Sequence, residues 1–295
     1  MKKVTLLSFV ALLTVFVFYT ACKKENKAPK ITAAADNGSD DAALLSTYAN
    51  VGTLHNAGLD FIYNQLLTYK NAQIQATGKF ACSKSTLFSL YNQYAADYVD
   101  TLWQLTDSQY AYTLSNIESF NLDAFKNNTT YSLTYIAEQT TLVFSPALTN
   151  AVNMLFAIGD STTLTDSAKY AAWDTLLYQN IDLVSNDVEK AGLICAINTA
   201  IATYKYWETP TNVSKWNSLL SDLTQARTTK TTAEADNWKA DVVGALSGGA
   251  SGAIDASWLG VGGAIAGGVC GAVAGACSAT AGSCITSLIW SWIGW

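Results

Sequence analysis

No charged side chain interrupts the chain from Ala256 to Trp295, and within that stretch Gly263, Gly267, Gly271 and Gly275 recur four residues apart. A shorter run, Gly244, Gly248 and Gly252, precedes it at the same spacing. Residues four apart lie nearly one above the other on a helix. A row of glycines therefore makes a groove in the helix surface, into which another backbone can press, as in small-xxx-small helix pairs. Such a segment needs a water-poor partner: its own second arm, another copy of the chain, a groove in the body, or lipid. Trp258 to Cys277 is long enough to cross a hydrocarbon core as a helix. Gly282-Ser283 can turn the chain, and the remaining piece to Trp295 is short for a second crossing. Trp290, Trp292 and Trp295 suit a bilayer interface as anchors. Gly and Ala make the first arm only weakly hydrophobic, and glycine-face pairing adds about 1–2 kcal/mol per good contact set.

The opposite end is equally directive. Lys2 and Lys3 precede an uncharged apolar run from Val4 to Thr20, followed by Ala21-Cys22. This is the n-region and h-region of an export signal, too short for a stable span. The small residue directly before Cys22 resembles the lipobox of bacterial lipoproteins, with Tyr19 where that family usually carries Leu. Cys22-Lys23-Lys24-Glu25-Asn26-Lys27 is similar to the mature starts of Bacteroidota lipoproteins. The resemblance implies that Cys22 carries lipid, that residues 1–21 are removed, and that the protein sits in the cell envelope, with the outer membrane favoured because Lys23 is not an inner-membrane retention Asp. Residues 22–40 then read as the lipidated cysteine and a flexible tether, marked by Pro29, Gly38 and Ser39.

Between the ends, residues 41–240 carry a helical apolar period almost throughout. Leu44, Tyr48, Val51, His55, Gly58, Ile62, Leu66 and Tyr69 predict one stripe of about seven turns, ended by Gly78. Further helices are expected over Ser85–Leu105, Asn116–Asn128, Thr130–Phe144, Ala147–Ile158, Thr165–Tyr178, Ile181–Trp207, Ser214–Arg227 and Ala233–Leu246, with Pro146 and Pro210 as breaks. Gly159-Asp160-Ser161 reads as a loop. No alternating runs long enough for a sheet and no fixed repeat are present. The expectation is an all-α fold, an antiparallel helical bundle with a Gly/Ala-rich C-terminal helical hairpin over residues 241–295. The 15 tyrosines lie on or beside the apolar stripes, where rings fill a core and hydroxyls find partners.

Composition removes several function classes. Half of the residues are hydrophobic, only 14% are charged, and the formal net charge is −6, which excludes a disordered chain and gives no basic face for nucleic acid. His55 is the sole histidine and sits inside an apolar stripe, so a core histidine bonded to a buried polar group is the favoured reading over a base or ligand. Asp182 with Asn186 and Asp187 with Lys190 read as ordinary helix neighbours. Gly248-Gly249-Ala250-Ser251-Gly252 imitates a nucleophile elbow but follows no strand, and no Gly-Lys-Ser/Thr completes a P-loop. The expectation is therefore no enzyme, no metal and no cofactor. If Cys22 is lipidated, Cys82, Cys195, Cys270, Cys277 and Cys284 remain; Cys82 with Cys195 is one open pairing, while the last three stand seven apart, too distant to bridge along one straight helix.

Val51 to Asp60, Lys205-Tyr206-Trp207, Ala235-Asp236 and Asp241 to Gly244 together resemble an uncharacterised helical bacterial family ending in a Gly/Ala-rich tail. That resemblance implies the architecture and no activity. Leu246-Ser247-Gly248-Gly249, with the Gly/Ala segment and terminal tryptophans, is similar to double-glycine leader sites and class II bacteriocin peptides. Asp100-Thr101-Leu102, Asp160-Ser161-Thr162, Asp166-Ser167-Ala168 and Asp174-Thr175-Leu176 resemble Bacteroidota O-glycosylation sequences, with Asp160-Ser161 in a loop. The expected function is a lipid-anchored, membrane-associated protein with a structural or interaction role, its tail packing through glycine faces. The alternative is a membrane-inserting, bacteriocin-like antibacterial lipoprotein. The expected partners are membrane lipid, through the anchor and the tail, and a second copy of the chain through the glycine face.

Overall fold

The computed structural model describes residues 39–80, 82–127, 144–184 and 186–224, and beyond them Lys239, Asp241, Val242, 244–246, Gly249 and 271–273. The described part is 88% helical with no strand, so the fold is all-α. In chain order the helices are α1 (Ser39–Tyr48), α2 (Val51–Thr77), α3 (Lys84–Trp103), α4 (Asp107–Asn127), α5 (Pro146–Asp160), α6 (Asp166–Asn180), α7 (Asp187–Glu208) and α8 (Pro210–Thr224), with one 3-10 turn at Ile181–Leu183.

The boundaries follow local chemistry. Ser83, Ser145, Thr165 and Asn186 each cap a helix by accepting from the backbone N–H three residues on, a contact worth about 1 kcal/mol. Gly78 ends α2 in the left-handed region at φ +75°, its N–H returning to Ile74 O. Pro146 and Pro210 each open a helix rather than kinking one, since a first-turn proline forfeits no intrahelical bond.

Four expectations need correction. The stripe from Leu44 to Tyr69 is two helices, broken at Ala49-Asn50, because a continuous apolar row does not register a backbone break. The chain is helical from Ser39, so Ser39 and Asp40, the end of the expected tether, belong to α1, where the neighbouring Asp41 carboxylate meets Lys190 Nζ at 2.6 Å. The segment expected to begin at Asn116 begins at Asp107, where Gln109 Oε1 accepts from the Thr106 N–H at 2.7 Å and closes the first turn. Gly159 and Asp160 are the end of α5, not loop. The expected helix over Thr130–Phe144 falls almost wholly outside the described residues.

The core is organised around α7, which packs against α1, α2, α5, α6 and α8. Its residues Ala191, Leu193, Ile194, Cys195, Ala196, Ile197 and Ala200 are all buried, and a helix apolar on every side belongs in the interior. Trp173 of α6 is wholly buried, with its Nε1–H donated to Leu155 O of α5 at 3.0 Å. Val242, Ala245, Leu246, Ala272 and Val273 belong to the same core. Among the described residues no helix is long and apolar enough to cross a membrane.

Candidate functional site

Among the described residues, the closest approach at a glycine lies where α2 crosses α7. Gly52 faces α7 so closely that an added Cβ would overlap the Asn198 carbonyl oxygen and sit 2.6 Å from Ala202 Cβ. Only the absence of a side chain permits that approach. Two amide side chains clamp it: Asn56 Nδ2 donates to Ala202 O at 2.9 Å, and Asn198 Nδ2 donates to Tyr48 O at 3.1 Å. From α3, Tyr98 donates its hydroxyl to Leu54 O at 2.8 Å. Apolar period alone drew this face as a stripe; the glycine and the two asparagines are what let the backbones meet.

His55 sits inside the joint, wholly buried. Its Nδ1 lies 3.1 Å from Asn56 Oδ1, and because the Asn56 amide nitrogen is committed to Ala202 O, the oxygen is the atom facing the ring. Its Nε2 lies 3.5 Å from Asp241 Oδ1, beyond ordinary hydrogen-bond length, so this is an electrostatic contact rather than a formed bond. The other Asp241 oxygen accepts from the Thr203 hydroxyl of α7. Both His55 and Asp241 have no solvent-accessible side-chain surface. The expected core histidine beside a buried polar group is thus present, and its partner is an acid far along the chain that spacing could not reveal.

Asp241 brings the C-terminal segment with it. The described residues from 239 to 249 are helical. An added Cβ on Gly249 would lie 3.2 Å from Cys195 Sγ, 3.3 Å from Cys195 Cβ and 3.5 Å from Ala272 Cβ. Asp241 meets Thr203 and Gly249 meets Cys195, so the segment runs antiparallel to α7, and an advance of eight residues on one helix matches eight on the other. Ala245 then stands opposite Thr199, whose buried hydroxyl makes no hydrogen bond, as an alanine neighbour dictates. The row in contact is Asp241, Ala245 and Gly249, one position on from Gly244, Gly248 and Gly252. Gly244 is itself buried and Gly271 is half-buried. Gly248, Gly252, Gly263, Gly267 and Gly275 lie outside the described residues, as do Cys22, Cys270, Cys277, Cys284, Trp290, Trp292 and Trp295.

Both described thiols are free. Cys195 lies in the core and burial pushes its thiol well above the ordinary range, so it is an inert packing group. Cys82 stands in the α2–α3 connection, with its thiol also raised by burial.

Three further polar clusters tie helices together. Glu189, in the first turn of α7, accepts from the Ser145 N–H at 2.9 Å and from its hydroxyl at 2.5 Å, holding the start of α5. Lys169 is buried and donates to Gly159 O at 2.9 Å and to the Tyr204 hydroxyl at 2.7 Å. Asp60 accepts from Tyr206 at 2.7 Å and from Lys215 at 2.5 Å, and Tyr206 in turn accepts from Trp216 Nε1 at 2.9 Å. Tyr204 and Tyr206 thus behave as their place on the stripes predicts, whereas Tyr112 and Tyr178 are exposed. Lys190, expected beside Asp187, is instead the partner of Asp41. Of the glycosylation-like triplets, those at Asp100 and Asp174 lie within α3 and α6 and that at Asp166 opens α6; only Ser161 is in a connection. Among the described residues no three His, Cys, Asp or Glu side chains group as metal ligands.

Comparison of the chain with protein families, curated proteins and solved structures gives no match. The chemistry must therefore be read from the arrangement itself. A histidine and a hydroxyl that both face one carboxylate resemble hydrolytic machinery only in composition: His55, Asp241 and Thr203 are fully buried, which leaves a substrate no approach to them. The arrangement can hold helices together, and it joins the C-terminal segment to the body.

Proposed function

We propose that this is an exported, lipid-anchored envelope protein with a structural or interaction role and no catalytic activity, whose C-terminal segment packs on its own helical body. The observation that carries the reading is the seating of Gly249 between Cys195 of α7 and Ala272, with Ala272 and Val273 fully buried. Residues of both glycine runs thereby enter the core of the body. A segment so engaged satisfies within one chain the need for a water-poor partner that its composition creates. Lipid at Cys22 holds the assembly to the membrane, with the outer membrane favoured, and residues 22–38 span the gap to α1.

Fractionation of cells expressing the full chain and a chain lacking residues 241–295 tests this. The full chain partitions with membranes, and Cys22→Ser releases it in folded form. The truncated body exposes His55, Thr203 and the α7 face, and aggregates or loses helicity. A truncated body that stays soluble and fully helical, together with dye release from lipid vesicles by the isolated tail, overturns the reading in favour of a membrane-inserting tail.

A further inference from the structure

We propose that the buried meeting of Asp241 with His55 and Thr203 sets the axial register of the C-terminal helix on α7. The inference rests on the docked segment proposed above and adds what fixes its position. On α7, Cys195, Thr199 and Thr203 form one row four residues apart; opposite them stand Gly249, Ala245 and Asp241. The row continues at Ala253. Ala245, Gly249 and Ala253 differ by at most a methyl group, so steric fit distinguishes poorly between this register and one slid by a single turn, about 6 Å along the axis. Asp241 breaks that degeneracy. In the observed register its two oxygens face His55 Nε2 at 3.5 Å and the Thr203 hydroxyl. Slid by a turn toward Thr199, or beyond Thr203, the carboxylate leaves His55 behind and stays out of water without its partner. A buried charge stripped of its partner is among the most costly arrangements a core can adopt, and a single buried polar residue is enough to fix register between otherwise sliding helices. The remaining neighbours do not supply such a choice: Thr199 makes no hydrogen bond across the joint, and Val242, Ala245 and Leu246 make only apolar contacts in the core.

Cys195 serves as a built-in ruler. In a full-length chain with Cys22, Cys82, Cys270, Cys277 and Cys284 changed to alanine, one cysteine is introduced by Gly249→Cys or by Ala253→Cys. Dilute protein is then oxidised with diamide, which takes two electrons and two protons as the thiols join. The Cβ separation of 3.3 Å at position 249 is close to disulfide geometry. Gly249→Cys should form the intrachain bridge at least tenfold faster than Ala253→Cys, seen on non-reducing gels and by peptide mass. Failure of Gly249→Cys to bridge in this background refutes the docked segment itself. The acid is next moved one turn by Asp241→Ala with Ala245→Asp. The register should follow it, reversing the preference so that Ala253→Cys bridges faster than Gly249→Cys. Unchanged preference for Gly249→Cys, or no bridge at either position with helicity retained, overturns the proposal. Should the moved-acid chain lose helicity, His55→Leu with Asp241→Val supplies an apolar joint; both cysteines should then bridge within about threefold of each other, and exclusive bridging at 249 overturns the proposal.

Discussion

The close crossing of α2 and α7 yields a quantitative prediction for Gly52→Ala. On an exposed helix this change stabilises by about 1 kcal/mol, since alanine is the better helix former. Here the new methyl would overlap the Asn198 carbonyl oxygen, lie 2.6 Å from Ala202 Cβ and 3.0 Å from the Asn198 carbonyl carbon. Two of those atoms are backbone in the middle of a buried helix, so rotamer changes cannot clear them, and the helices must part by about 1 Å. Overpacking of this kind costs about 1–3 kcal/mol. Parting the helices also stretches the Asn56–Ala202 and Asn198–Tyr48 hydrogen bonds, at about 1 kcal/mol each. After subtracting the propensity gain, the net loss is about 2–4 kcal/mol. At about 2–4 °C per kcal/mol for a chain of this size, Tm falls by roughly 4–16 °C. Urea and thermal unfolding followed by far-UV circular dichroism measure it. Gly78→Ala is the control: φ is +75° with no neighbour within 4 Å, so only about 1 kcal/mol of left-handed strain is expected. Adding Ala202→Gly to Gly52→Ala should restore little, because the backbone overlap persists. If Gly52→Ala proves no worse than Gly78→Ala, or if Ala202→Gly rescues it, the close backbone crossing is wrong.

Other substitutions read other joints. Asp241→Ala removes the acceptor for Thr203 and the charge facing His55, all buried, and should cost about 2–4 kcal/mol by urea denaturation. Thr199→Val replaces a hydroxyl that has no hydrogen bond with a methyl, and should leave stability unchanged or raised in the same assay. Glu189→Ala frees both the N–H and the hydroxyl of Ser145, costing about 1–3 kcal/mol, with hydrogen exchange rising first at the start of α5. Burial, and then the nearby Asp166 carboxylate, raise the pKa of Glu208. The native state therefore holds this proton to higher pH than the unfolded chain does, so the contribution of Glu208 to stability is present at acid pH and lost as pH rises through its native pKa. Glu208→Gln should flatten that part of the stability profile, by less than about 1 kcal/mol because the side chain is largely exposed.

What could be read from the chain, and what could not, divides along the reach of each interaction. The helices follow from period and caps, signals confined to a few turns: Ser83, Ser145 and Thr165 each stand at or just before an expected start, whereas the helix drawn from Ile181 begins only at Asp187, where Asn186 caps it after a 3-10 turn. Ala49-Asn50 escaped because a local break that keeps the apolar row in line leaves no trace in the row. The joint escaped for a deeper reason. His55 is remote along the chain from both Thr203 and Asp241, and nothing in the neighbourhood of His55 names an acid near residue 241. One signal was nevertheless available. Asp241 is an acid four residues before Ala245 and eight before Gly249, at the head of a small-residue row; a charge on the face that has been stripped for close contact needs a buried partner, and the sole histidine lies on the other long apolar stripe. Glycine spacing favoured the neighbouring row, Gly244 to Gly252, because glycine was counted and the alanine and aspartate were not. Small volume, rather than glycine as such, admits a neighbouring helix, and it is the polar member of the row that says where along that helix the contact belongs.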